Sequence, residues 1–343
     1  MKVTREEVAK HAGVSPATVS YVLNNSRNVS EETRKRVLEA VEKMNYKPDL
    51  IARSMVTKET KQLSIILNDI ANPFFSEIIL AFENAAIERG YFVNICTGYK
   101  NIDDYFDHFI SRRIDGICVL AIPNKFHMDK IYDLVDKGIK VVVSGNAEAD
   151  IKRVSLIEND YINAMDQAIR YLMELGHREI AYVSGLSSSQ KFDRRIEGYL
   201  KALKKYNLSC GDRLLIEGKA PYNTTIMDGY YITKELISTG KFFTAVICTN
   251  DLMAVGAMRA LQEAGYSVPD DVSVMGFDDI FLSDIWQPPL TTMSVPKTLL
   301  GTKAFELLYG NIKKGNTGFY MTKPELVVRK STDVCKHTSR SKQ

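Results

Sequence analysis

The stretch VTREEVAKHAGVSPATVSYVLNNSRNVSEETRKRVLEAVEKMNYKPDLIARSMV, residues 3–56, predicts three short helices followed by a short connecting segment. Thr4 and Glu7 have the spacing of a capping box, so a helix should begin after Thr4. Gly13 gives the backbone the freedom that a tight turn requires. Ser15 should then cap a second helix, whose first residue is a proline. The pattern therefore predicts a helix, a glycine turn and a capped helix.

A third helix should begin after Ser30, because two glutamates follow this cap in the first turn. Each helix carries apolar residues at spacings of three and four. The residues expected to pack together are Val8, Ala9, Ala12, Val19, Val22, Leu23, Val37, Leu38, Val41 and Met44. The second helix should turn outward Pro16, Ala17, Thr18, Ser20 and Tyr21. A helix-turn-helix reader of duplex DNA has this arrangement, and so does a packed minidomain without DNA binding.

The distribution of charge favours a DNA-binding helix-turn-helix over a packed minidomain. Residues 1–61 carry a net charge of +4, residues 62–328 carry −5 and residues 329–343 carry +4, which gives the total of +3. A basic head on an acidic body suits phosphate contacts made by the head alone. We interpret the basic tail as a solvated chain end.

Beyond residue 61 the pattern changes to alternating strands and helices. Apolar runs that predict strands lie at 63–67, 92–96, 116–120, 140–143, 180–184, 245–248 and 272–277. Helical stretches lie between them, for example at 74–89, 160–175, 194–206, 228–238 and 251–264. Gly90, Gly176 and Gly265 fit positions just beyond helix ends. Continuous apolar strands separated by helices predict an α/β body with parallel sheets covered on both faces, and its length predicts two subdomains.

The head resembles that of the lactose-repressor/galactose-repressor (LacI/GalR) family, in which the second helix enters the major groove of DNA. The resemblance assigns base reading to Pro16, Ala17 and Tyr21. It assigns backbone and groove contacts to Thr4, Ser15, Thr18, Ser20, Asn24, Asn28, Ser30 and Tyr46.

The chemistry of the three base readers limits what they can recognise. Ala17 offers only a methyl group, which suits the C5-methyl of thymine. Pro16 packs but cannot donate a hydrogen bond. Tyr21 has one hydroxyl and no bidentate fork. Much of the specificity should therefore come from DNA shape.

Residues 48–61 are predicted to form a hinge, in which Asp49 can cap a short helix. A helix of this length is marginal in water, so a flexible linker is the alternative. The family resemblance implies that paired hinges fold on DNA and press apolar side chains into the minor groove. Ala52, Arg53 and Met55 are the expected DNA contacts there. Met55 stands where the family usually has leucine, and methionine is a more flexible wedge.

The body carries further landmarks of the same family in register. They are NDIANPFF (68–75), RRIDGICVL (112–120), LMELGHREIAYVSG (172–185), RRIEGYLKAL (194–203), TAVICTNDLMAVGAMRAL (244–261), DVSVMGFDD (271–279), QPPLTTMSVP (287–296) and ELVVRKST (325–332). The resemblance implies a two-lobed fold like that of periplasmic binding proteins. The expected domains are a head at 1–47, the hinge at 48–61, an effector-binding and dimerisation domain at 62–335 and a basic tail at 336–343. Lobe one should span about 62–160 and 293–321, and lobe two about 161–292 and 322–335.

Ligands of such α/β proteins lie beyond the carboxyl ends of the strands, between the lobes. Asp278 and Asn250 follow strands and can bind vicinal hydroxyls, and Arg195 brings a fixed fork for hydroxyls or anions. Phe74 and Phe75 offer aromatic faces to a sugar ring. These five positions match effector contacts of the family that the chain resembles, and the resemblance adds Asp69 and Asp160, so the expected effector contacts are Asp69, Phe74, Phe75, Asp160, Arg195, Asn250 and Asp278. Asp251, beside Asn250, is expected to cap the helix after it.

Other motifs exclude several classes of function. The sequence has no Walker A motif, no strand-borne GxGxxG and no GxSxG elbow, and its histidines and cysteines lack metal-ligand spacing. Cys96, Cys118 and Cys248 lie in predicted strands and indicate a reducing compartment. Without a secretory segment or a long apolar run, a cytoplasmic protein that does not enter membranes is expected.

We therefore interpret the chain as a homodimeric transcription regulator, a repressor that binds a pseudo-palindromic DNA operator. A sugar or sugar derivative between the lobes would control it, and no other cofactor is expected. One alternative is a carbon-catabolite regulator whose cofactor is a phosphorylated carrier protein. A more remote one is a sugar-processing enzyme with a DNA-binding head. Neither the sign of the effector response nor the effector's identity follows from the sequence.

Overall fold

The computed structural model describes residues 3–24, 27–47, 54, 59–67, 69–97, 102–120, 128–145, 149–185, 194–208, 214–218 and 224–336. The chain divides into two compact units, residues 1–60 and residues 61–343. We call the first unit the head and the second unit the body.

The described part of the head contains α1 (Arg5–Ala12), α2 (Pro16–Asn24) and α3 (Glu31–Lys43). The predicted caps are confirmed. Thr4 and Glu7 form the complete capping box of α1. Ser15 Oγ accepts the backbone N–H of Thr18 at 3.1 Å, and Ser30 Oγ accepts that of Thr33 at 3.3 Å.

The head core consists of small apolar side chains: Val8, Ala9, Ala12, Val19, Val22, Val37 and Ala40. Gly13 ends α1 with φ of 65°, as the glycine turn predicted. The predicted burial of Leu38 is wrong, because its side chain is 47% exposed. Adjacent helical residues point about 100° apart, and Val37 and Ala40 already occupy the inward direction of α3.

The described part of the body contains two six-stranded sheets, one in each lobe. The first sheet has the order β11-β5-β4-β3-β1-β2 and the second the order β12-β10-β9-β8-β6-β7. The strands are β1 (Gln62–Leu67), β2 (Phe92–Thr97), β3 (Gly116–Leu120), β4 (Lys140–Ser144), β5 (Ser155–Asn159), β6 (Ile180–Ser184), β7 (Leu215–Glu217), β8 (Ala245–Cys248), β9 (Ser273–Asp278), β10 (Thr291–Ser294), β11 (Phe319–Thr322) and β12 (Glu325–Val327). The pairs are parallel as predicted, except that β12 runs antiparallel to β10.

The helices of the body alternate with these strands. They are α4 (Pro73–Glu88), α5 (Ile102–Arg112), α6 (Met128–Asp136), α7 (Tyr161–Glu174), α8 (Arg194–Lys205), α9 (Ile226–Ser238), α10 (Asp251–Glu263), α11 (Leu282–Ile285) and α12 (Lys297–Lys314). Gly90, Gly176 and Gly265 follow helices with positive φ, which confirms their predicted position.

The chain passes between the two lobes three times. It leaves the first sheet after β5 and enters the second lobe with α7, returns between β10 and α12, and crosses again between β11 and β12. One large apolar core includes Ile157 of the first sheet, Phe277 of the second and Leu300 of α12. The lobes therefore share packed side chains at the crossings. This packing fixes the strand ends that lie next to the crossings.

Candidate functional site

Two predicted effector residues lie at the carboxyl ends of neighbouring strands in the second sheet. Asp278 is the last residue of β9, and Asn250 follows β8. β8 pairs in parallel with β9, so these ends meet at the same edge. Both side chains are buried, at 4% and 3% exposure.

Asp278 is a buried acid in an uncommon backbone conformation, with φ of 106°. Burial raises the pKa of its carboxyl well above the usual range; the charge of Asp251 adds to this effect, and Arg195 and Lys297 oppose it. Among the described residues, no side chain or backbone group donates a hydrogen bond to this carboxylate. A buried acceptor of this kind suits a ligand that brings its own O–H or N–H donors.

Arg195 lies at the start of α8, next to the same edge. Its Nη1 donates to the carbonyl oxygen of Thr249 at 2.9 Å. Its guanidinium lies 4.3 Å from the centre of the Tyr161 ring. The backbone and the aromatic ring thus hold a cation close to both Asn250 and Asp278.

The expected roles of Asn250 and Asp251 are partly reversed. Asn250 is the cap of α10, since its Oδ1 accepts the backbone N–H of Met253 at 2.9 Å, and its Nδ2 donates to the carbonyl of Thr224 at 3.1 Å. The prediction that Asp251 is the cap is therefore wrong. The first of the two residues sits at the extended position before the helix, where a side chain can reach the third backbone N–H.

Asp251 instead accepts three hydrogen bonds inside the second lobe. The donors are the backbone N–H of Ile280 at 2.9 Å, Ser283 Oγ at 2.7 Å and Thr292 Oγ1 at 2.6 Å. Burial raises the pKa of Asp251 to about 6, although these three donors lower it. One carboxyl group therefore ties α10 to α11, to β10 and to the turn after β9.

The other lobe supplies the aromatic pair. Phe74 and Phe75 lie in the first turn of α4, half-buried, with ring centres 5.3 Å apart in an edge-to-face arrangement. Asn72 caps this helix by accepting the N–H of Phe74 at 3.0 Å. Asp69 lies in the preceding turn and accepts the N–H of Ala71 at 2.9 Å.

Asp160 caps α7 by accepting the N–H of Asn163 at 3.1 Å. It precedes Tyr161, the ring on which Arg195 stacks. Asp160 also lines a shallow groove of about 430 Å³ on the outside of α7 and α8, with Ile162, Asn163, Asp166, Gly198, Lys201, Ala202 and Lys205. Since this groove lacks Arg195, Asn250 and Asp278, we do not identify it with the effector site.

The structure thus groups Arg195, Asn250 and Asp278 at one edge of the second sheet and holds Phe74, Phe75 and Asp69 at the start of α4. Sequence reasoning missed Asp251 as a buried hydrogen-bond centre, and it missed Tyr161 and Lys297. Tyr161 follows a capping residue at a lobe crossing, and this position could have been used to predict that it lies near the site. No feature of the sequence around Lys297 predicts that it lies near the site.

The predicted reading face of the head is accessible. Pro16 and Ala17 of α2 are exposed, and Tyr21 is half-buried. The guanidinium of Arg27 lies 4.7 Å from the centre of the Tyr21 ring. Sequence reasoning did not name Arg27, which brings a positive charge next to this face.

The other expected DNA contacts of the head surround α2. Thr18 Oγ1 is 2.9 Å from Ser15 Oγ, and Asn24 Nδ2 donates to Ser20 Oγ at 3.1 Å. Thr4 and Ser30 act as caps, Asn28 is exposed, and Tyr46 packs partly against the head core. Ala52, Arg53 and Met55 lie outside the described residues.

Within the described ranges, no cluster of histidine, cysteine or acidic side chains has the geometry of a metal site. In these ranges, no helix has the length and apolarity needed to cross a membrane.

Two family models match the chain. Residues 4–49 match the model described as bacterial regulatory proteins, lacI family. Residues 60–329 match periplasmic binding proteins and sugar binding domain of LacI family. The two-lobed fold expected from the sequence is thereby confirmed.

The HTH-type transcriptional repressor PurR of Pasteurella multocida is 34% identical over 333 residues, which cover 96% of this chain and 98% of that protein. Among solved structures, the lac repressor dimer bound to operator and the anti-inducer ONPF has a TM-score of 0.83 at 26% identity, covering 97% of this chain and 100% of that one. The transcriptional regulator CelR in complex with cellobiose has a TM-score of 0.73 at 28% identity, covering 96% and 100%.

The similarity extends over head and body alike, in relatives that bind operator DNA as dimers and bind small effectors. The chain therefore belongs to the LacI family, as a DNA-binding transcriptional repressor with an effector-binding domain and not as an enzyme.

Proposed function

We propose that this protein is a homodimeric repressor that binds a pseudo-palindromic operator and responds to a neutral sugar or sugar derivative held between its lobes. The observation that carries the proposal is the buried Asp278 carboxylate, to which no described residue donates a hydrogen bond. A polyol would supply the missing donors, and its apolar ring face would pack on Phe74 and Phe75.

Charge supports a neutral effector over an anionic one. Arg195 already donates to Thr249 and stacks on Tyr161, while Asp278 and Asp251 place two acids nearby. A phosphate or carboxylate bound there would approach these acids at short range, and like charges at short range cost free energy inside a protein.

The homodimer proposal is supported by exposed apolar side chains on the first lobe. Leu80 and Ile87 of α4 are each 58% exposed, and Phe92 and Ile95 of β2 are 68% and 44% exposed. β2 is an edge strand of its sheet, and an exposed apolar edge favours association with another chain. The related lac repressor was solved as a dimer on its operator.

On DNA, two copies of the head would present Pro16, Ala17 and Tyr21 to two half-sites. The hinge, with Ala52, Arg53 and Met55, would contact the minor groove. In this proposal, residues 1–47 form the DNA-binding domain and residues 48–61 form the hinge. A protein that acts on a bacterial operator would work in the cytoplasm.

The test is selection of bound duplexes from a random DNA pool by the purified protein. It is run alone, with D-ribose, with cellobiose, with guanine as a planar N–H donor, and with a phosphorylated carrier protein. We expect an inverted repeat to be enriched and a sugar to change its enrichment. No enrichment over bulk DNA would overturn the repressor proposal. A response to guanine or to the carrier protein alone would overturn the sugar assignment.

A further inference from the structure

Lys297 is a lysine buried at a lobe crossing. It is the first residue of α12, where the chain has just left the second lobe for the first, and it is 6% exposed. Lysine is rarely buried to this extent unless its ammonium group is paired. Its partners therefore indicate what it does.

Two of these partners are backbone carbonyls at the effector site. Lys297 Nζ donates to the carbonyl oxygen of Asp278 at 2.9 Å and to that of Asp279 at 2.7 Å. Both residues have positive φ, 106° and 56°, in a region that residues other than glycine seldom adopt. The ammonium stabilises a turn that the backbone alone disfavours, and this turn sets the direction of the Asp278 side chain.

The third partner belongs to the other lobe. Glu77 of α4 places Oε1 3.8 Å from Lys297 Nζ. Glu77 lies three residues after Phe74 in the same helix, and α4 packs along α12. One ammonium group thus contacts both the turn that carries Asp278 and the helix that begins with the aromatic pair.

We propose that Lys297 is a positioning residue that holds the Asp278 turn in place and links it to α4, so that occupancy of one lobe is transmitted to the other. The inference rests on the proposed function, because it takes Asp278 as an effector contact. Coupling of this kind requires the effector to favour one arrangement of the lobes, and a contact shared by both lobes can report that difference.

The first experiment needs no effector. Hydrogen exchange is measured on the full-length protein for the segment 278–284, which includes the backbone N–H of Ile280. We expect Lys297→Met to speed exchange there about tenfold and Lys297→Arg to restore part of the protection, since local opening follows the loss of local contacts. Unchanged exchange in Lys297→Met would overturn the positioning role.

Lys303→Met is the matched control. Lys303 lies on the same helix, and its Nζ pairs at the surface with Glu306 at 2.6 Å. Exchange of the segment 278–284 should stay at the wild-type rate in this variant. An equal acceleration in both variants would show a general effect of losing a lysine from α12 and would overturn the proposal.

The second experiment tests the link between the lobes with Glu77→Gln, which leaves Lys297 and its two carbonyl bonds in place. Operator affinity is measured with and without D-ribose, cellobiose and guanine. Glu77→Gln should keep the affinity for the active compound and reduce the change in operator affinity about threefold, as expected when coupling alone is weakened. A wild-type response would overturn the link, and this variant decides the matter if Lys297→Met does not fold.

Asp278→Asn separates the two possible failures. If it responds like the wild type, the proposed pocket is wrong. If it loses the response while Lys297→Met and Glu77→Gln behave like the wild type, the inference about Lys297 is wrong and the proposed function stands. A wild type that answers none of the three compounds contradicts the sugar effector, and the exchange experiment then decides the positioning role by itself.

Discussion

The head and the body use charge in opposite ways. The head carries a net charge of +3 around a core of small side chains, and the residues of its reading face, Pro16, Ala17 and Tyr21, are exposed or half-buried. The body carries its functional charges inside, with Asp251 at 1%, Asp278 at 4% and Lys297 at 6% exposure. Exposed charges attract a partner at long range and are screened by salt, while buried charges are screened much less and act on the groups packed around them. The two regions should therefore respond to different perturbations.

Salt should produce the largest difference between them. With six or more phosphate contacts from the head pair, operator affinity should fall about a thousandfold between 50 and 200 mM salt. Sugar affinity should change less than about twofold over the same range, because the site is buried and the ligand neutral. Operator titrations and calorimetry at matched salt concentrations check both values. A sugar affinity that falls as steeply as operator affinity would contradict the proposed neutral effector.

Removal of the Asp251 carboxylate should have the next largest effect, which is a loss of stability. Asp251→Ala leaves three buried donors without an acceptor, which should lower the free energy of unfolding by about 3 kcal/mol. Denaturant unfolding of the full chain measures this loss. Asp284→Ala is the control, because its side chain is 78% exposed, and it should change stability by less than about 1 kcal/mol.

The same residue gives a dependence on pH. The folded state raises the pKa of Asp251 to about 6, whereas an unfolded Asp titrates near 3.9. The folded state therefore binds this proton more tightly, so stability should fall as the pH rises from about 4 to about 6 and stay level above it. Asp251→Asn should remove this part of the slope, and an unchanged slope would contradict the assignment.

Asp278 should determine effector affinity with little effect on DNA. Asp278→Asn should weaken sugar binding at least tenfold, since hydrogen bonds to a charged group contribute about 1.5–3 kcal/mol each. Basal operator affinity should remain. Because burial raises the pKa of Asp278, lowering the pH should protonate the acceptor and weaken sugar binding in the wild type. Calorimetry from pH 8 downwards checks this, and the variant should lack the decline.

The smallest expected effect is at Tyr21. Tyr21→Phe removes one hydroxyl and leaves the ring beneath Arg27, so discrimination at one base pair of each half-site should fall about fivefold. Affinity for non-specific DNA should not change. Selection from a random pool reports the preference, and an identical profile in both proteins would show that the hydroxyl reads no base.

The helix caps show how far local reasoning reaches. Thr4, Ser15 and Ser30 each bind a backbone N–H within three residues, so neighbours in sequence were sufficient to predict them. The pair Asn250 and Asp251 marks the limit of this reasoning. Both residues can cap a helix, and the choice was settled by where β9, β10 and α11 bring the three donors that Asp251 accepts.

The sequence by itself determined the short-range features of this protein: the glycine turns, the alternation of strands and helices, the basic head, and the family motifs in register. Only the tertiary structure decided which charges are buried and what they contact. Nothing near Lys297 in the chain distinguishes it from a surface lysine; it becomes buried because a lobe crossing brings it beneath the turn of Asp278 and Asp279. Local signals depend on neighbours a few residues away, whereas the removal of a charge from water depends on segments that fold together from distant parts of the chain.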